Sequence, residues 1–268
     1  MLPVKSPIVH STTMEQPPDR RPVRTRLRQA DLRAAWEEHA AEFIAWARQP
    51  RHDSYAQFHR DLFLEFLPPP GDKTLDLGCG EGRLSRDLKA LGHHVIAVDA
   101  SPTMIAAALE ADPEIEAVVG DAAALPFANA AFDCVIAFMS LQDVDDLDGA
   151  LRETARVLQP AGRLCLAVVH PLSSAGRFES DDLDAPFTIR ESYLEPSFYA
   201  DNVVRDGLEI TFVSAHRPLE TYAAALSSAG LLIEQIREPA LPEHAIQRLS
   251  SRRWQRLPLF LHIRAVKP

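Results

Sequence analysis

Cysteine is scarce in this chain. Only Cys79, Cys134 and Cys165 occur in 268 residues, and no two stand at a C-x-x-C spacing. An odd count without a pairing pattern argues against a disulfide framework, and no thiolate metal pair is visible; no metal site is expected. All three lie in apolar, strand-like stretches and read as buried small side chains of a reducing compartment. Long hydrophobic runs are missing too. No stretch of 18 apolar residues exists, so no membrane span is expected. The N-terminus lacks the apolar centre of a secretory signal. A soluble, cytoplasmic protein follows as the expectation. Positive charge is in deficit: 28 Lys and Arg stand against 38 Asp and Glu, a formal net charge of −10. Phosphate contacts need clustered Lys and Arg, so the chain reads as a poor general binder of nucleic acid. Residues 1–28 are the exception, with Lys5, Arg20, Arg21, Arg24, Arg26 and Arg28 against Glu15 and Asp19. This stretch reads as a disordered, Pro-rich basic tail. Met14 serves as an alternative start, because little before it has a structural pattern.

What is present is a globular pattern. Hydrophobic content of 46% supports one elaborated domain with a sizeable core. Leu32, Trp36, Ala40, Phe43 and Ala47 recur at helical intervals across residues 29–48. Tyr55, Phe58, Leu62 and Phe66 do so from Tyr55 to Leu67, before Pro68-Pro69-Pro70-Gly71 stops the helix. Strands and helices then alternate: KTLDLG, GRLSRDLKALG, HVIAVDA, SPTMIAAALEA, EAVVGDA, AFDCVIAFMS, LDGALRETARVLQP and GRLCLAVVH. Ser101 suits an N-cap and Pro102 the first helical position. Alternation with solidly apolar strands predicts a parallel sheet covered on both faces, an α/β fold. After His170-Pro171 the rhythm breaks, and residues 172–215 read as an insertion over the carboxyl edge of the sheet. LETYAAALSSAG, LLIEQIRE and LPLFLHIRAV then read as helix, strand and final strand.

The stretch LDLGCGEGRLS carries the first chemistry. A P-loop needs Lys-Ser or Lys-Thr behind its glycines, and none follows. The dinucleotide fingerprint would place a third glycine at 83, which is Arg83; the spacing here is G-x-G-x-G. Asp76 at the end of the first strand would repel a pyrophosphate and favour an ammonium, unless it is only a local cap. Asp99 ends the second strand, where an acid accepts hydrogen bonds from two ribose hydroxyls. Asp121 follows the third strand; its carboxylate suits an exocyclic amine, and the Ala122 amide a ring nitrogen. Three acids at the ends of successive strands describe a ligand with an amine, a ribose and an adenine, and without phosphate.

The motifs LDLGCGEG, VDAS, GDAAALPF, FDCVIAFMSLQDV and ARVLQPAGRLCLAVVHP resemble, in order and spacing, those of class I S-adenosylmethionine-dependent methyltransferases. The resemblance covers roughly residues 72–171. It implies a doubly wound, Rossmann-like, mostly parallel seven-stranded sheet of order 3-2-1-4-5-7-6, with strand seven antiparallel. It implies a helical lid at 29–70 and a cofactor-binding domain at 71–268 carrying the insertion. It also implies S-adenosylmethionine as cofactor. Asp76, Gly78, Gly80 and Gly82 would cradle its methionine part, and Asp99 would hold the ribose. Ala100 and Met104 would flank the adenine, with Asp121 and Ala122 on its edge. Phe138 and Met139 would line the methyl-donor side, and Tyr55 is a candidate for the methionine carboxylate.

The acceptor is less legible. No N-P-P-Y or D-P-P-Y tetrapeptide follows the fourth strand, where Phe138-Met139-Ser140-Leu141 stands, and no Pro-Cys nucleophile is present. Nucleobase acceptors are therefore disfavoured. Asp143, Asp145 and Asp146 could suggest a metal-dependent catechol-type site but read as the solvated start of a helix. His170, His216 and Tyr193 are the candidate catalytic residues. His170 ends the fifth strand as base, hydrogen-bond donor or cap; His216 opens His216-Arg217-Pro218-Leu219, similar to tetrads in small-molecule members. Tyr193 belongs to an aromatic group with Phe187, Phe198, Tyr199 and Phe212, which suits a flat acceptor or the insertion's own small core. Trp36, His39, Phe43 and Trp46 read mainly as packing. The expectation is methyl transfer to a small, aromatic or heteroaromatic metabolite at O, N or C, in specialised metabolism. The partners expected are that acceptor, no nucleic acid and no membrane, with the chain a monomer or homodimer. Two alternatives stay open: a catalytically silent cofactor-binding regulatory module and a nicotinamide-dependent oxidoreductase.

Overall fold

The computed structural model describes residues 20–50, 52–246 and 249–268. Most of the expected tail, residues 1–19, lies outside the described residues. Its last part does not behave as a tail: Arg20–Leu27 is a strand, β1. Two helices follow, α1 (Leu32–Glu38) and α2 (Ala40–Arg48), where one was expected; the break is at His39. Asp31 caps α1 by accepting from the Ala34 amide at 2.9 Å. The second expected helix is a π-turn, Tyr55–His59, running into α3 (Arg60–Leu64).

The alternating body is β2 (Thr74–Leu77), α4 (Arg83–Ala90), β3 (Val95–Asp99), α5 (Pro102–Ala111), β4 (Glu116–Val119), β5 (Phe132–Phe138), α6 (Leu147–Val157) and β6 (Leu158–Val169). Then come α7 (Pro171–Ala175), β7 (Arg177–Phe178), β8 (Phe187–Thr188), β9 (Ser197–Arg205), β10 (Leu208–His216), α8 (Leu219–Ser228), β11 (Leu232–Arg237) and β12 (Phe260–Val266). Seven strands form the main sheet in the order β11-β12-β6-β5-β2-β3-β4. Six run in one direction, and β12 is antiparallel to both of its neighbours, β6 and β11. Numbered within the sheet, this is the expected 3-2-1-4-5-7-6.

The apolar strands are explained by cover on both faces. Along β5, Val135 and Ala137 pack with Leu151, Tyr222 and Leu226 of α6 and α8. Cys134, Ile136 and Phe138 face the other way, against Phe63, Leu84 and Leu88. Period-two alternation thus sends neighbours into two separate cores. The cysteines Cys79, Cys134 and Cys165 are free and buried.

A second sheet, β1-β9-β10, lies over the carboxyl edge of the first. The insertion is therefore mainly a long hairpin, and its partner comes from the N-terminal segment. Arg24 stands opposite Asp201 in register and grips it with two hydrogen bonds of 2.8 and 2.6 Å. Arg26 contacts Glu191. Two of the basic residues that suggested a solvated tail, Arg24 and Arg26, are thus matched to acids of the insertion. Pro22 is tolerated because β1 is an edge strand with an irregularity between Arg20 and Val23. Two 3-10 turns, Glu243–Ala245 and Leu249–Gln255, close the side next to β12. Among the described residues, no helix is long and apolar enough to cross a membrane.

Candidate active site

A cavity of about 640 Å³ lies between the carboxyl ends of β2, β3 and β5 and the second sheet. This volume is within the range of small-molecule sites. Its floor begins at Asp76, the third residue of β2. Asp76 is 1% exposed and accepts from Ser85 Oγ of α4 at 2.6 Å. Burial, opposed by that hydrogen bond and reinforced by the nearby Asp99 charge, pushes its carboxyl up to about 7. A cation brought beside it would restore the charged form.

The glycine turn follows. Gly78 has φ +74°, and a Cβ there would meet Ser140 Cβ at 2.3 Å. The turn thus packs against the end of β5 through a position only glycine fills. The Gly80 amide donates to Asp99 Oδ2 at 2.8 Å, and the Ser101 amide to Oδ1 at 2.9 Å. Burial pushes the Asp99 carboxyl up, while these backbone donors pull it down. Each oxygen spends one acceptor site on backbone and keeps another for a hydroxyl. Asp121 is exposed and accepts from the Ala123 amide at 2.8 Å.

Asp76, Gly78, Gly80, Asp99, Ala100, Met104, Asp121, Ala122, Phe138, Met139 and Tyr55 all line the cavity. Gly82 does not. A Cβ on it would lie 2.9 Å from Ala108 Cβ, so it serves the close approach of α4 to α5. Tyr55 presents its ring only, because its hydroxyl donates to Asp87 at 2.5 Å and Arg83 lies over the ring at 4.2 Å. The chain turns sharply at Met139, which has φ +56°. A left-handed non-glycine residue beside a cavity is backbone strain held by its surroundings. Here its amide donates to Ala167 O at 2.7 Å, and its carbonyl accepts from Gln142 at 2.7 Å.

The three candidate catalytic residues are placed elsewhere. His170, His216 and Tyr193 do not line the cavity. His170 caps α7, accepting from the Leu172 amide at 3.1 Å, and its Nε2 meets Glu238 at 2.8 Å. His216 is held between Ser174 Oγ at 2.7 Å and the Tyr193 carbonyl at 2.9 Å. The Tyr193 hydroxyl accepts from the Leu219 amide at 3.2 Å. The side chain of Tyr193 ties the insertion to α8, and burial depresses both imidazoles.

Other side chains form the far wall. Trp36 and Phe43 sit edge to face at 5.5 Å, and Phe212 of β10 meets Trp36 and Trp46 at 6.4 and 5.9 Å. Trp36, Phe43 and Trp46 therefore line the cavity as well as pack the helices. Tyr199 and Phe212 face it too, whereas Phe187 packs on Phe178 at 5.1 Å in a separate cluster. On the opposite side Phe58, Trp254, Leu259 and Phe260 add an apolar surface. The segment 239–256 shows no helical or strand periodicity in sequence, although Leu241, Ala245, Ile246 and Trp254 are apolar.

Asp143 is the residue that sequence reasoning misplaced. It lines the cavity instead of opening a solvated helix. Asp146 does cap α6, accepting from the Gly149 amide at 2.8 Å. Asp145 accepts from the Leu32 amide at 2.9 Å and the Arg33 amide at 3.2 Å, anchoring α1. Glu37, later in α1, accepts from Ser101 Oγ at 2.5 Å and Thr103 Oγ1 at 2.6 Å on the start of α5. The first helix is thus latched at both ends across the cavity. Among the described residues, no group of three or more His, Cys, Asp or Glu could hold a metal ion.

The donor half fits S-adenosylmethionine on its own chemistry. A buried carboxyl awaits a cation, a second carboxylate keeps free acceptor sites at a strand end, and the glycine turn leaves space beside them. Residues 75–166 match the family described as Methyltransferase domain. The demethylmenaquinone methyltransferase of Beutenbergia cavernae is 40% identical over 98 residues, which are 37% of this chain and 41% of that protein. The malonyl-[acyl-carrier protein] O-methyltransferase of Erwinia billingiae is 37% identical over 121 residues, 43% of this chain and 47% of that protein. The matched region therefore spans less than half the length of each relative. An S-adenosylmethionine-dependent methyltransferase from Mesorhizobium loti superposes with a TM-score of 0.63 at 25% identity, covering 77% of this chain and 96% of that one. Sheet order, cavity and matched residues agree, and this chain carries a methyltransferase domain of the class I, S-adenosylmethionine-dependent type.

Proposed function

We propose that the protein transfers a methyl group from S-adenosylmethionine to a small, flat, largely apolar acceptor. The observation that carries this reading is the continuity of the cavity. It runs from the acids at the ends of β2, β3 and β4 into an aromatic compartment walled by both ends of the fold. A module that only bound the cofactor would need no such second compartment.

When bound, S-adenosylmethionine supplies a methyl carbon already activated by a sulfonium. The protein's work is then alignment and exclusion of water. Asp76 and the turn Gly78–Gly80 would hold the ammonium end. Asp99 would accept from the ribose hydroxyls, and Met104 and Ala100 would sandwich the adenine. Asp121 and the Ala122 amide would read its edge. Phe138 and Met139 stand between this half and the aromatic wall, where an acceptor would meet the methyl group.

The two relatives are named for different acceptors, demethylmenaquinone and a malonyl-[acyl-carrier protein]. The aromatic wall of this chain suits the first chemistry. Calorimetric titration with S-adenosylhomocysteine tests the donor half: binding is expected, and Asp99→Asn should weaken it at least tenfold. Absence of binding would remove the reading. Labelled methyl incorporation across phenols, indoles and amines tests the acceptor half.

A further inference from the structure

Of the carboxylates that line the cavity away from the donor acids, Asp53 and Asp201 are paired with Arg83 and Arg24, and Asp145 and Asp146 hold helix-start amides, whereas Asp143 has neither commitment. Asp143 ends the short 3-10 turn Leu141–Asp143 that the strained Met139 starts. Its Oδ1 accepts from Ser214 Oγ of β10 at 2.6 Å, and its Oδ2 from Gln142 Nε2 at 3.1 Å. Arg217 lies behind it but is committed to backbone. It donates to the carbonyls of Leu141 at 3.3 Å, Gln142 at 3.0 Å and Val144 at 2.5 Å. Among the described residues, Asp143 therefore has no salt-bridge partner, although protein surrounds it. From α1, Trp36 Nε1 is buried without a hydrogen-bond partner and lies near this carboxyl. Tyr199 of β9 and Tyr222 of α8 complete the shell; burial raises both phenols, and the Asp143 charge adds to it. Arg24, paired with Asp201, covers the Tyr199 ring at 4.1 Å.

This is a carboxyl hydrogen-bonded on both oxygens but, among the described residues, without a salt bridge, lining a cavity shared with Trp36, Tyr199 and Phe212. We propose that Asp143 is the catalytic base, and that it takes the proton of a phenol-type O–H on an acceptor seated against Trp36, Tyr199 and Phe212. The proposal rests on the methyl-transfer reading above. As the acceptor oxygen attacks the methyl carbon, an O–CH3 bond forms and the C–S bond breaks, its electron pair staying on sulfur. The O–H proton passes to the Asp143 carboxylate and is later lost to water. The sulfonium charge is cancelled by the electron pair, so no oxidant or metal enters the balance.

Charge selects the acceptor class. An anionic carboxylate acceptor would be repelled by Asp143. An aliphatic ammonium would pair with it and keep its proton, leaving no lone pair to attack. A neutral phenol does neither, and its plane matches the wall. Burial, countered by the Ser214 and Gln142 hydrogen bonds, the Arg217 charge and Trp36, pushes Asp143 up to about 7. A base in this range is matched to a phenol proton near neutral pH. Because the ionised form is the active one, the rate should fall as pH drops through about 7.

The test uses full-length protein and a series of phenols from 4-nitrophenol to 4-cresol, with labelled S-adenosylmethionine at pH 8. Asp143→Asn should bind S-adenosylhomocysteine as the wild type does. It should lose roughly 10²–10⁴-fold in rate with 4-cresol and far less with the already ionised 4-nitrophenol. Equal losses across the series would mark Asp143 as structural and overturn the proposal, as would a wild type that binds S-adenosylhomocysteine but methylates none of these phenols. Carbon-13 titration of Asp143 in the S-adenosylhomocysteine complex covers the case of a misfolded variant. A midpoint near 7 is expected, and one in the ordinary carboxyl range overturns the assignment. Failure to bind S-adenosylhomocysteine at all would instead remove the methyl-transfer reading.

Discussion

Asp76 is a single side chain through which fold stability would be coupled to the proposed cofactor binding. Its carboxyl is raised from 3.8 to about 7 by burial. A raised folded value contributes stability that is complete below the unfolded value and is lost as pH rises through about 7. Above that point the buried charge costs roughly 4 kcal/mol. Asp76→Asn should therefore stabilise the protein against urea more at pH 8 than at pH 5, while weakening S-adenosylhomocysteine binding. An ammonium placed beside Asp76 reverses its preference and drives the proton off. Calorimetry at pH 6.5 in buffers of different ionisation heat should show close to one proton released, and at pH 8.5 none. Equal heats in all buffers would mean that the ligand amine lies elsewhere. His170 belongs to the opposite class. His170→Ala should cost about 1 kcal/mol through the lost α7 cap and leave the methyl-transfer rate per folded molecule unchanged. A large loss of rate would return His170 to the chemistry.

The acids Asp76, Asp99 and Asp121 are legible in sequence because strand ends place them, and apolar runs mark strand ends. Asp143 is not, although it lies among residues of the same motif. Asp145 and Asp146 do what a run of acids before a helix suggests, in that each holds backbone amides at a helix start. Asp143 differs only because the left-handed turn at Met139 and the roof strand β10 enclose it, and both depend on tertiary structure.

At the scale of elements, the helices over the cavity are fastened by few groups. Glu37 joins α1 to α5 through Ser101 and Thr103, and Asp145 holds the other end of α1. Glu37→Ala should leave far-UV circular dichroism unchanged and speed S-adenosylhomocysteine dissociation several-fold in stopped flow. An unchanged rate would show that α1 is not the gate. The alternating body is readable because each strand and helix packs on sequence neighbours. Strand β1 is not, because its partner β9 follows some 170 residues later and its basic residues make sense only beside Asp201 and Glu191. The same holds for Leu241 and Trp254, whose apolar side chains are explained by Phe58 and Phe260 from distant elements.

For the whole molecule, acid sensitivity is set by a contest. Burial lowers His59, His93, His170, His216 and His262, the last to about 4. Each contributes stability above the unfolded imidazole value that is lost as pH falls toward its folded value. Asp76, Asp99 and Asp143 are raised and act in the opposite sense over much of the same window. The histidines are more numerous, so the unfolding temperature should fall between pH 6.5 and 5. A rise on acidification would show that the carboxyls dominate.

The pairing of β1 with β9 also dictates an order of assembly. Strands β2 to β5, which carry the donor half, are made and can pair while the roof is still absent. During synthesis β1 emerges first but must wait for Asp201, 177 residues after Arg24, before it has a partner. Closing so long a loop is entropically costly and slow relative to the local pairings beneath it. The roof thus pairs late, as does β12, which is made after β10 and completes the main sheet beside β6. On this edge strand, the β1–β9 amides are expected to exchange with solvent faster than those of β2 and β3 inside the main sheet.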